Sequence, residues 1–341
     1  MNKADETYLE SIELSGEQLL ASYNEAKLLK LPKNFSDINK VLVVGMGGSQ
    51  LGVDLINALF FDRLKYPITQ IRGYKLPKYV DKKTLVILSS YSGSTEEVIS
   101  GAHEAKKRGL KALAICTGGK LASLAKKYKL PIYLFDPIDN PSGQPRMGTS
   151  YTTGAVLQIL KKSGALKITD SEVDNLAKYL VKSYKKYTKT KEVDNLAKKL
   201  KDKIIIYVTS EFLEGNGHII TNQTNESSKQ LAYYYHIPEL NHHLLEGLTF
   251  PKANTKLLHF VLVNSDMYLP RNQKRYKVMK EVLNKYKIKY SDIKLNGTKE
   301  EQVFSMLTFG ALLSFKLTKL NKQDPTLIPW VDYFKHRMAS K

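Results

Sequence analysis

The sequence of 341 residues contains a single cysteine, Cys116. No disulfide can form within the chain and no cluster of cysteines can bind a metal, which fits a reducing compartment. No uninterrupted apolar run approaches the roughly 18 residues that a membrane span needs, and the polar start MNKADETYLE lacks the pattern of a signal peptide. These absences favour a cytoplasmic protein with no membrane partner, and Cys116, in the apolar segment KALAICTGG, is predicted to be a core residue.

Arginine is scarce as well. Seven arginines accompany 46 lysines, so the net charge of +20 is carried almost entirely by lysine. Arginine is the usual reader of bases and phosphates, and no nucleic-acid-binding motif accompanies the charge. The lysines are therefore interpreted as a solvated surface and no nucleic-acid partner is expected, although a positive field would attract a small phosphorylated substrate.

The chain does contain a regular alternation of apolar strands and amphipathic helices. The first five predicted strands are KVLVVGM (40–46), ITQIRGY (68–74), TLVILSS (84–90), KALAICT (111–117) and PIYLFD (131–136). They are mostly non-alternating, as a parallel sheet covered by helices on both faces requires. This half of the sequence predicts a doubly wound α/β domain.

A second series of elements follows a charged helical stretch over about residues 170–202. Its predicted strands are KIIIYVTS (203–210), KLLHFVLVNS (256–265) and KYSDIKL (289–295), and its first helix is predicted around HIITNQTNESSKQLAYYY (218–235). The sequence therefore predicts two doubly wound, three-layer α/β domains with flanking helices, over residues 1–165 and 166–341.

The glycine-rich segment VVGMGGSQLG follows the first predicted strand. Gly47 and Gly48 would let backbone N–H groups approach a phosphate at the start of a helix. The G-x-G-x-x-G spacing of dinucleotide-binding proteins fails, because Gln50 stands at the third position. The second strand is followed by Arg72 rather than by the acid that a ribose requires. The segment therefore does not indicate NAD, and no cofactor is predicted.

The third predicted strand ends in an unusual number of hydroxyl groups, in the segment SSYSGST. We call residues 89–95 the hydroxyl loop; its hydroxyls, besides that of Tyr91, belong to Ser89, Ser90, Ser92, Ser94 and Thr95. Neighbouring parallel strands deliver their ends to one crevice, where hydroxyls and free N–H groups can surround a phosphate without a metal. Ser94 or Thr95 could instead be the N-cap of the following helix, but one cap explains only one hydroxyl.

These motifs, in their order, resemble the bifunctional phosphoglucose/phosphomannose isomerase family, which has the sugar isomerase (SIS) fold. The resemblance runs over nearly the whole chain, through GMGGS, SYSGST, QPRMG, NESSKQLAYYYHIPELNHH and DPT. It implies isomerisation of hexose 6-phosphates through a cis-enediolate, in a homodimer whose active site is shared between subunits. The residues that it implies for phosphate binding are Gly47, Gly48, Ser49, Ser90, Ser92 and Thr95.

The resemblance also implies catalytic residues. Glu226 corresponds to the family's proton-shuttling glutamate, Arg146 to the arginine held over the enediolate, and His242 to the ring-opening histidine that comes from the other subunit. Lys335 corresponds to a lysine near the C-terminus, and Thr326 to a possible sugar contact. Independently of the family, such a reaction needs a base, a positive group for the oxyanion and an acid/base pair for ring opening.

The chain departs from the family at one motif, since it reads NHHL where the family has NHNE. Either His242 or His243 is then a candidate for ring opening, and Leu244 replaces an acid. Adjacent histidines do not have the spacing of a helical metal site, so no metal is predicted.

Two other functions remain open from the sequence. The first is a non-catalytic phosphosugar-sensing module; such regulators carry a helix-turn-helix, whereas SGEQLLASYNEAKLLKLP resembles one packing helix ahead of the first strand. The second is an isomerase for another sugar phosphate, because specificity depends on loop shape.

Overall fold

The structure, a computed structural model, describes residues 2–339, which form fourteen α-helices and nine β-strands. The helices are α1 (Lys3–Glu13), α2 (Ser15–Glu25), α3 (Gly48–Phe60), α4 (Glu96–Lys107), α5 (Gly119–Tyr128), α6 (Thr149–Lys162), α7 (Asp170–Lys189), α8 (Glu192–Leu200), α9 (Glu214–Gln223), α10 (Leu244–Gly247), α11 (Asn254–Leu257), α12 (Pro270–Tyr286), α13 (Lys299–Leu320) and α14 (Pro329–Ala339). The strands are β1 (Lys40–Val44), β2 (Ile68–Ile71), β3 (Thr84–Ser89), β4 (Lys111–Cys116), β5 (Ile132–Leu134), β6 (Ile204–Ser210), β7 (Ala232–Ile237), β8 (Leu258–Ser265) and β9 (Lys289–Leu295).

The described chain forms two compact units. The N-terminal unit is Glu13–Lys182, and the C-terminal unit combines residues 2–12 with residues 183–339. The division predicted at residue 165 falls before α7 and differs from the observed one, because the start of α7 is bound to the N-terminal unit. There the Asp170 carboxylate accepts hydrogen bonds from the Tyr23 hydroxyl at 2.8 Å and from Lys161 at 2.7 Å.

The N-terminal unit is built on a five-stranded parallel sheet with the order β2-β1-β3-β4-β5. Strands β3 and β4 are buried at every position, which agrees with their unbroken apolar sequences. The order reverses beside β1, and in such sheets ligands bind outside the carboxyl ends of the strands at this reversal. The GMGGS turn and the hydroxyl loop follow β1 and β3, so both lie at that point.

The C-terminal unit has a four-stranded parallel sheet with the order β7-β6-β8-β9. The predicted helix through Tyr235 is wrong in its second half, where the chain forms strand β7. Helix α9 ends at Gln223, a π-helical turn covers Thr224–Ser228, and Lys229 has a left-handed φ of 54°. The aromatic run that follows favours a strand, and its tyrosines are tolerated in the partly exposed position at the sheet edge.

Helix α13 is the core helix of the C-terminal unit. It is long and apolar enough to cross a membrane by length and composition, but 78% of its most apolar window is buried inside the protein. Its start is fixed by a capping box in which Thr298 and Glu301 bind each other's backbone N–H groups. The burial identifies α13 as a packing element.

His259 on β8 gives this sheet a dependence on pH. Burial, and then the positive charges of Lys199, Lys203 and Lys289, lower the pKa of His259 from 6.5 to about 4. Its Nε2 atom lies 2.9 Å from the Ser291 hydroxyl on β9. The neutral imidazole is therefore the form that the fold accommodates.

Stability is expected to fall as the solution is acidified. The unfolded chain takes up a proton on His259 near pH 6.5, whereas the folded chain resists it until about pH 4. The neutral His259 therefore contributes fully to the free energy of unfolding above about pH 6.5. This contribution, at most about 3 kcal/mol, is lost as the pH falls towards 4. Urea unfolding at several pH values should show a flatter profile for His259→Gln than for the parent. The exposed His103→Gln is the control, and an unchanged slope for His259→Gln would contradict the assignment.

Candidate active site

The GMGGS turn brings the start of α3 against the segment that contains Arg146. Gly47 occupies the N-cap position with a φ of +49°, and Gly48 is the first residue of the helix. A Cβ atom at Gly48 would lie 2.6 Å from the carbonyl carbon of Pro145 and 2.7 Å from the amide nitrogen of Arg146. Only glycine therefore permits this close approach of the two backbones.

The hydroxyl loop forms its own network of hydrogen bonds. The hydroxyls of Ser90 and Thr95 lie 2.8 Å apart, and the Tyr91 N–H donates to the Ser49 hydroxyl at 2.9 Å. Thr95 stands at the N-cap position of α4, but its side chain makes no capping hydrogen bond. Thr95 therefore occupies the predicted N-cap position without capping the helix through its side chain, and its hydroxyl faces Ser90 beside the positive end of a helix dipole.

The tip of the hydroxyl loop is held by the turn between β4 and α5. Gly93 has a φ of +68°, and its carbonyl accepts a hydrogen bond from the Leu121 N–H at 2.8 Å. A Cβ atom on Gly93 would lie 1.8 Å from the carbonyl oxygen of Gly118, so no larger residue fits. Ser92 is exposed, and its hydroxyl accepts from the Ser94 N–H at 3.3 Å.

Arg146 lies at the centre of this region and is only 1% exposed. Its Nη1 atom donates to the Gln144 side-chain oxygen at 2.9 Å. The Asn140 amide nitrogen donates to the backbone carbonyl of Gln144 at 2.9 Å and to the Tyr91 hydroxyl at 2.8 Å. Burial raises the pKa of Tyr91 to about 12, so this hydroxyl is neutral at physiological pH.

Glu226 lies in the C-terminal unit, half-buried within the turn Thr224–Ser228, which we call the Glu226 turn. Several elements hold this turn. The Tyr8 hydroxyl lies 2.7 Å from the Ser227 hydroxyl, Lys229 donates to the Ser227 carbonyl at 2.9 Å, and Asn321 donates to the Ser228 carbonyl at 3.0 Å. The backbone around the carboxylate is therefore fixed by helix α1, by the residue that ends the turn and by the loop after α13.

The two candidate histidines are exposed and lie at a short 3₁₀ turn, Glu239–His242. The ring of His243 packs at an angle against the ring of Tyr235, with 6.0 Å between the centroids. Through this contact the exposed His243 ring touches the edge strand β7, and both His242 and His243 stay candidates for proton transfer.

The remaining predicted residues lie near the C-terminus. The Thr326 hydroxyl and N–H both donate to the Asp324 carboxylate, at 2.6 and 2.7 Å. Burial acts to raise the pKa of Asp324, but these hydrogen bonds prevail and lower it. Lys229 also donates to the Asp324 carbonyl, which joins this segment to the Glu226 turn. Lys335 lies on α14, whose side chains from Pro329 to Met338 are all exposed.

Cys116 and the potential metal ligands complete the description of the reactive side chains. Among residues 2–339, no group of three or more histidine, cysteine or acidic side chains has a geometry that could hold a metal ion. Cys116 is buried in β4, and burial raises the pKa of its thiol. Its prediction as a core residue is confirmed.

The N-terminal unit thus contains seven of the predicted site residues, namely Gly47, Gly48, Ser49, Ser90, Ser92, Thr95 and Arg146. In the C-terminal unit, the Thr326 segment is tied to the Glu226 turn, whereas His242 and Lys335 lie on separate elements. Sequence reasoning missed Tyr91, Asn140 and Gln144. The sequence could have pointed to them only by position: Tyr91 lies in the hydroxyl loop, and Asn140 and Gln144 lie in the Pro- and Gly-rich loop before α6.

Comparison with known proteins assigns both units to one class, the sugar isomerase (SIS) proteins. Residues 34–161 match the SIS domain, and residues 189–338 match the bacterial phospho-glucose isomerase C-terminal SIS domain. The fold resembles that of a putative phosphosugar isomerase from Clostridium difficile 630, with a TM-score of 0.73, 14% identity and coverage of 100% of this chain and 99% of that one.

Two relatives narrow the class to a family. The chain is 34% identical over 338 residues to the bifunctional phosphoglucose/phosphomannose isomerase of Caldicellulosiruptor bescii, covering 97% of this chain and 98% of that protein. It is 28% identical to the protein of the same name from Thermoplasma volcanium, covering 88% and 92%. The chain belongs to the bifunctional phosphoglucose/phosphomannose isomerase family.

Proposed function

We propose that the protein is an aldose–ketose isomerase that interconverts glucose 6-phosphate and mannose 6-phosphate with fructose 6-phosphate. The observation that carries the proposal is the hydroxyl loop, which lies with a glycine turn and a buried arginine at the switch point of an SIS sheet. In a chain similar over 97% of its length to a named isomerase, this arrangement favours a phosphorylated hexose substrate.

In this proposal the substrate phosphate is bound by Ser90, Ser92 and Thr95 of the hydroxyl loop, with Gly47, Gly48 and Ser49 opposite. Three hydroxyls and the uncapped N–H groups of α4 supply donors to the phosphate oxygens, and the helix dipole favours their charge. No metal is needed for this kind of recognition.

The chemistry is assigned to the remaining predicted residues. Glu226 removes the proton from C2 of the aldose and returns it to C1, and the Arg146 guanidinium stabilises the enediolate oxygen without giving up a proton. His242 transfers the proton that opens the sugar ring. Lys335 is assigned to the catalytic residues and Thr326 to a contact with the sugar; because Thr326 donates its hydroxyl proton to Asp324, it would act as an acceptor.

A coupled assay tests the function directly. Purified protein is supplied with fructose 6-phosphate, glucose 6-phosphate and mannose 6-phosphate, and with fructose as the unphosphorylated control. Turnover of the phosphorylated sugars and little turnover of fructose is the expected result. Binding without turnover of any of them would favour the sensing module instead, and turnover of a different sugar phosphate alone would change the assigned substrate.

We further propose a homodimer in which His242 serves the site of the neighbouring subunit. The support is local: His242 is exposed, the edge strand β7 leaves Tyr233 48% exposed, and α14 exposes Trp330 and Phe334 at 80% and 63%. Aromatic side chains are enriched where a protein contacts another chain.

Mixed dimers are expected to recover activity that neither parent variant has. If Glu226→Gln and His242→Ala are co-expressed with different tags, one site of each mixed dimer receives both wild-type residues. Random pairing then gives about a quarter of the wild-type specific activity. Light scattering checks that the protein is a dimer. If the mixed dimer, purified through both tags, is inactive, Glu226 and His242 belong to the site of the same subunit. Co-expressed copies of one variant are the control.

A further inference from the structure

Tyr91 connects the two parts of the site in the N-terminal unit. Its backbone belongs to the hydroxyl loop, where its N–H donates to the Ser49 hydroxyl at 2.9 Å and its carbonyl accepts from the Thr117 hydroxyl at 2.8 Å. Its side chain leaves the loop and reaches the segment that contains Arg146. One residue therefore has its main chain in the proposed phosphate site and its hydroxyl hydrogen-bonded to Asn140, which in turn binds the backbone of Gln144 two residues before Arg146.

Three hydrogen bonds, through Asn140 and Gln144, connect the Tyr91 hydroxyl to the guanidinium of Arg146. The Asn140 amide nitrogen donates to the Tyr91 hydroxyl at 2.8 Å and to the Gln144 carbonyl at 2.9 Å. The side-chain oxygen of Gln144 then accepts from Nη1 of Arg146 at 2.9 Å. Asn140 is 2% exposed and Arg146 1%, whereas Tyr91 and Gln144 are half-buried, so each of the three bonds has one buried partner.

The Tyr91 ring is also held in place by packing. It meets the ring of Phe135 edge-on, with 5.6 Å between centroids. A Cβ atom on Gly148 would lie 2.6 Å from Cε2 of Tyr91, so the ring rests directly on the residue before α6. A displacement of the hydroxyl loop would therefore be transmitted to the Arg146 segment, because closely packed groups cannot move independently of their neighbours.

We propose that Tyr91, Asn140 and Gln144 form a relay of positioning residues through which binding of the substrate phosphate fixes the Arg146 guanidinium for the enediolate. The inference rests on the proposed isomerase function. Its physical basis is that binding energy from a part of the substrate that does not react can be used to orient groups at the reacting carbons. Such a relay raises kcat rather than lowering KM.

Two ligands separate this role from a merely structural one. A pentonohydroxamate 5-phosphate carries both the phosphate and a planar pair of oxygens that imitates the enediolate. A hexitol 6-phosphate carries the phosphate without that oxyanion. We expect Tyr91→Phe to weaken binding of the hydroxamate and to lower kcat, each by about tenfold, the usual range for loss of one hydrogen bond. Its KM and its affinity for the hexitol phosphate should stay within about twofold of wild type.

Isothermal titration calorimetry with both ligands, together with steady-state kinetics, gives the comparison. Gln144→Met tests the other end of the relay and should show the same selective loss, so the inference does not depend on one variant folding. Tyr128→Phe is the matched control, because it removes a hydroxyl that lies 2.7 Å from Nδ1 of His103 on the surface of the same unit. It should leave both affinities unchanged.

The other outcomes contradict the relay. An equal loss of affinity for both ligands in Tyr91→Phe would mean that Tyr91 only shapes the phosphate site. Unchanged binding of the hydroxamate in both variants would mean that Arg146 is positioned without them. A folded wild-type protein that neither binds the ligands nor isomerises any hexose phosphate would overturn the proposed function, and the relay with it.

Discussion

Glu226→Gln is expected to lower kcat by a hundredfold or more and to change KM little, since a general base is usually worth about 10²–10⁴ in rate. Glutamine keeps the shape and hydrogen-bonding reach of the side chain but cannot accept the C2 proton. The Glu226 turn is held through its backbone and through Ser227 and Ser228, so the substitution should not displace it.

The control for this variant is Glu246→Gln, which removes an exposed carboxylate of the same unit. Its kcat should equal that of the wild type. Near-normal turnover by Glu226→Gln, with its fold confirmed by thermal unfolding, would assign the base to another residue. A large rise in KM with kcat unchanged would show that Glu226 binds the sugar rather than moving a proton.

Arg146→Met is expected to lower kcat by about 10²–10³, the range observed when one oxyanion-stabilising group is removed. Methionine retains much of the apolar volume of a side chain that is 1% exposed, but it leaves the Gln144 amide oxygen without its guanidinium partner. Added guanidinium at low millimolar concentration should restore part of the activity, because the ion supplies the missing charge and donors.

Arg146→Lys provides the comparison that separates charge from geometry. Lysine keeps the positive charge but not the planar fork that binds Gln144 and the enediolate together, so its kcat should lie between those of wild type and Arg146→Met. Full activity in Arg146→Met would remove the oxyanion role. A loss that follows a lower unfolding temperature in both variants, with no response to guanidinium, would reduce Arg146 to a structural residue.

Most strands were predictable because their apolar runs are long, as in β1, β3, β4, β6 and β8. The region after α9 was not, since the helical pattern of HIITNQTNESSKQ runs into LAYYY without a proline or glycine to mark the end. The helix ends there with a π-helical turn followed by Lys229 in the left-handed conformation. Lysine rarely adopts this conformation, so the sequence gives no sign of it. The assignment of α1 to the C-terminal unit depends on tertiary contacts such as that of Tyr8 with Ser227.

The candidate site was predictable to the extent that its motifs follow strand ends. Gly48, Ser90 and Arg146 are far apart in sequence, and the reversal of strand order and the close approach at Gly48 bring them together. Tyr91 and Gln144 carry no chemical signature of their own, because a tyrosine inside a hydroxyl-rich loop and a glutamine beside a proline are common. Only the hydrogen bonds reveal their connection to Arg146.

The most direct test of a proton-transfer isomerase is the conversion of fructose 6-phosphate in D₂O in the presence of EDTA, followed by NMR of the glucose 6-phosphate formed. We expect undiminished turnover and solvent deuterium at C2 of the product, reduced only by the share of protons that Glu226 returns before exchange. In Glu226→Gln this labelled product should form at least about a hundredfold more slowly. Turnover that EDTA abolishes, with no deuterium at C2, would contradict metal-free proton transfer by Glu226.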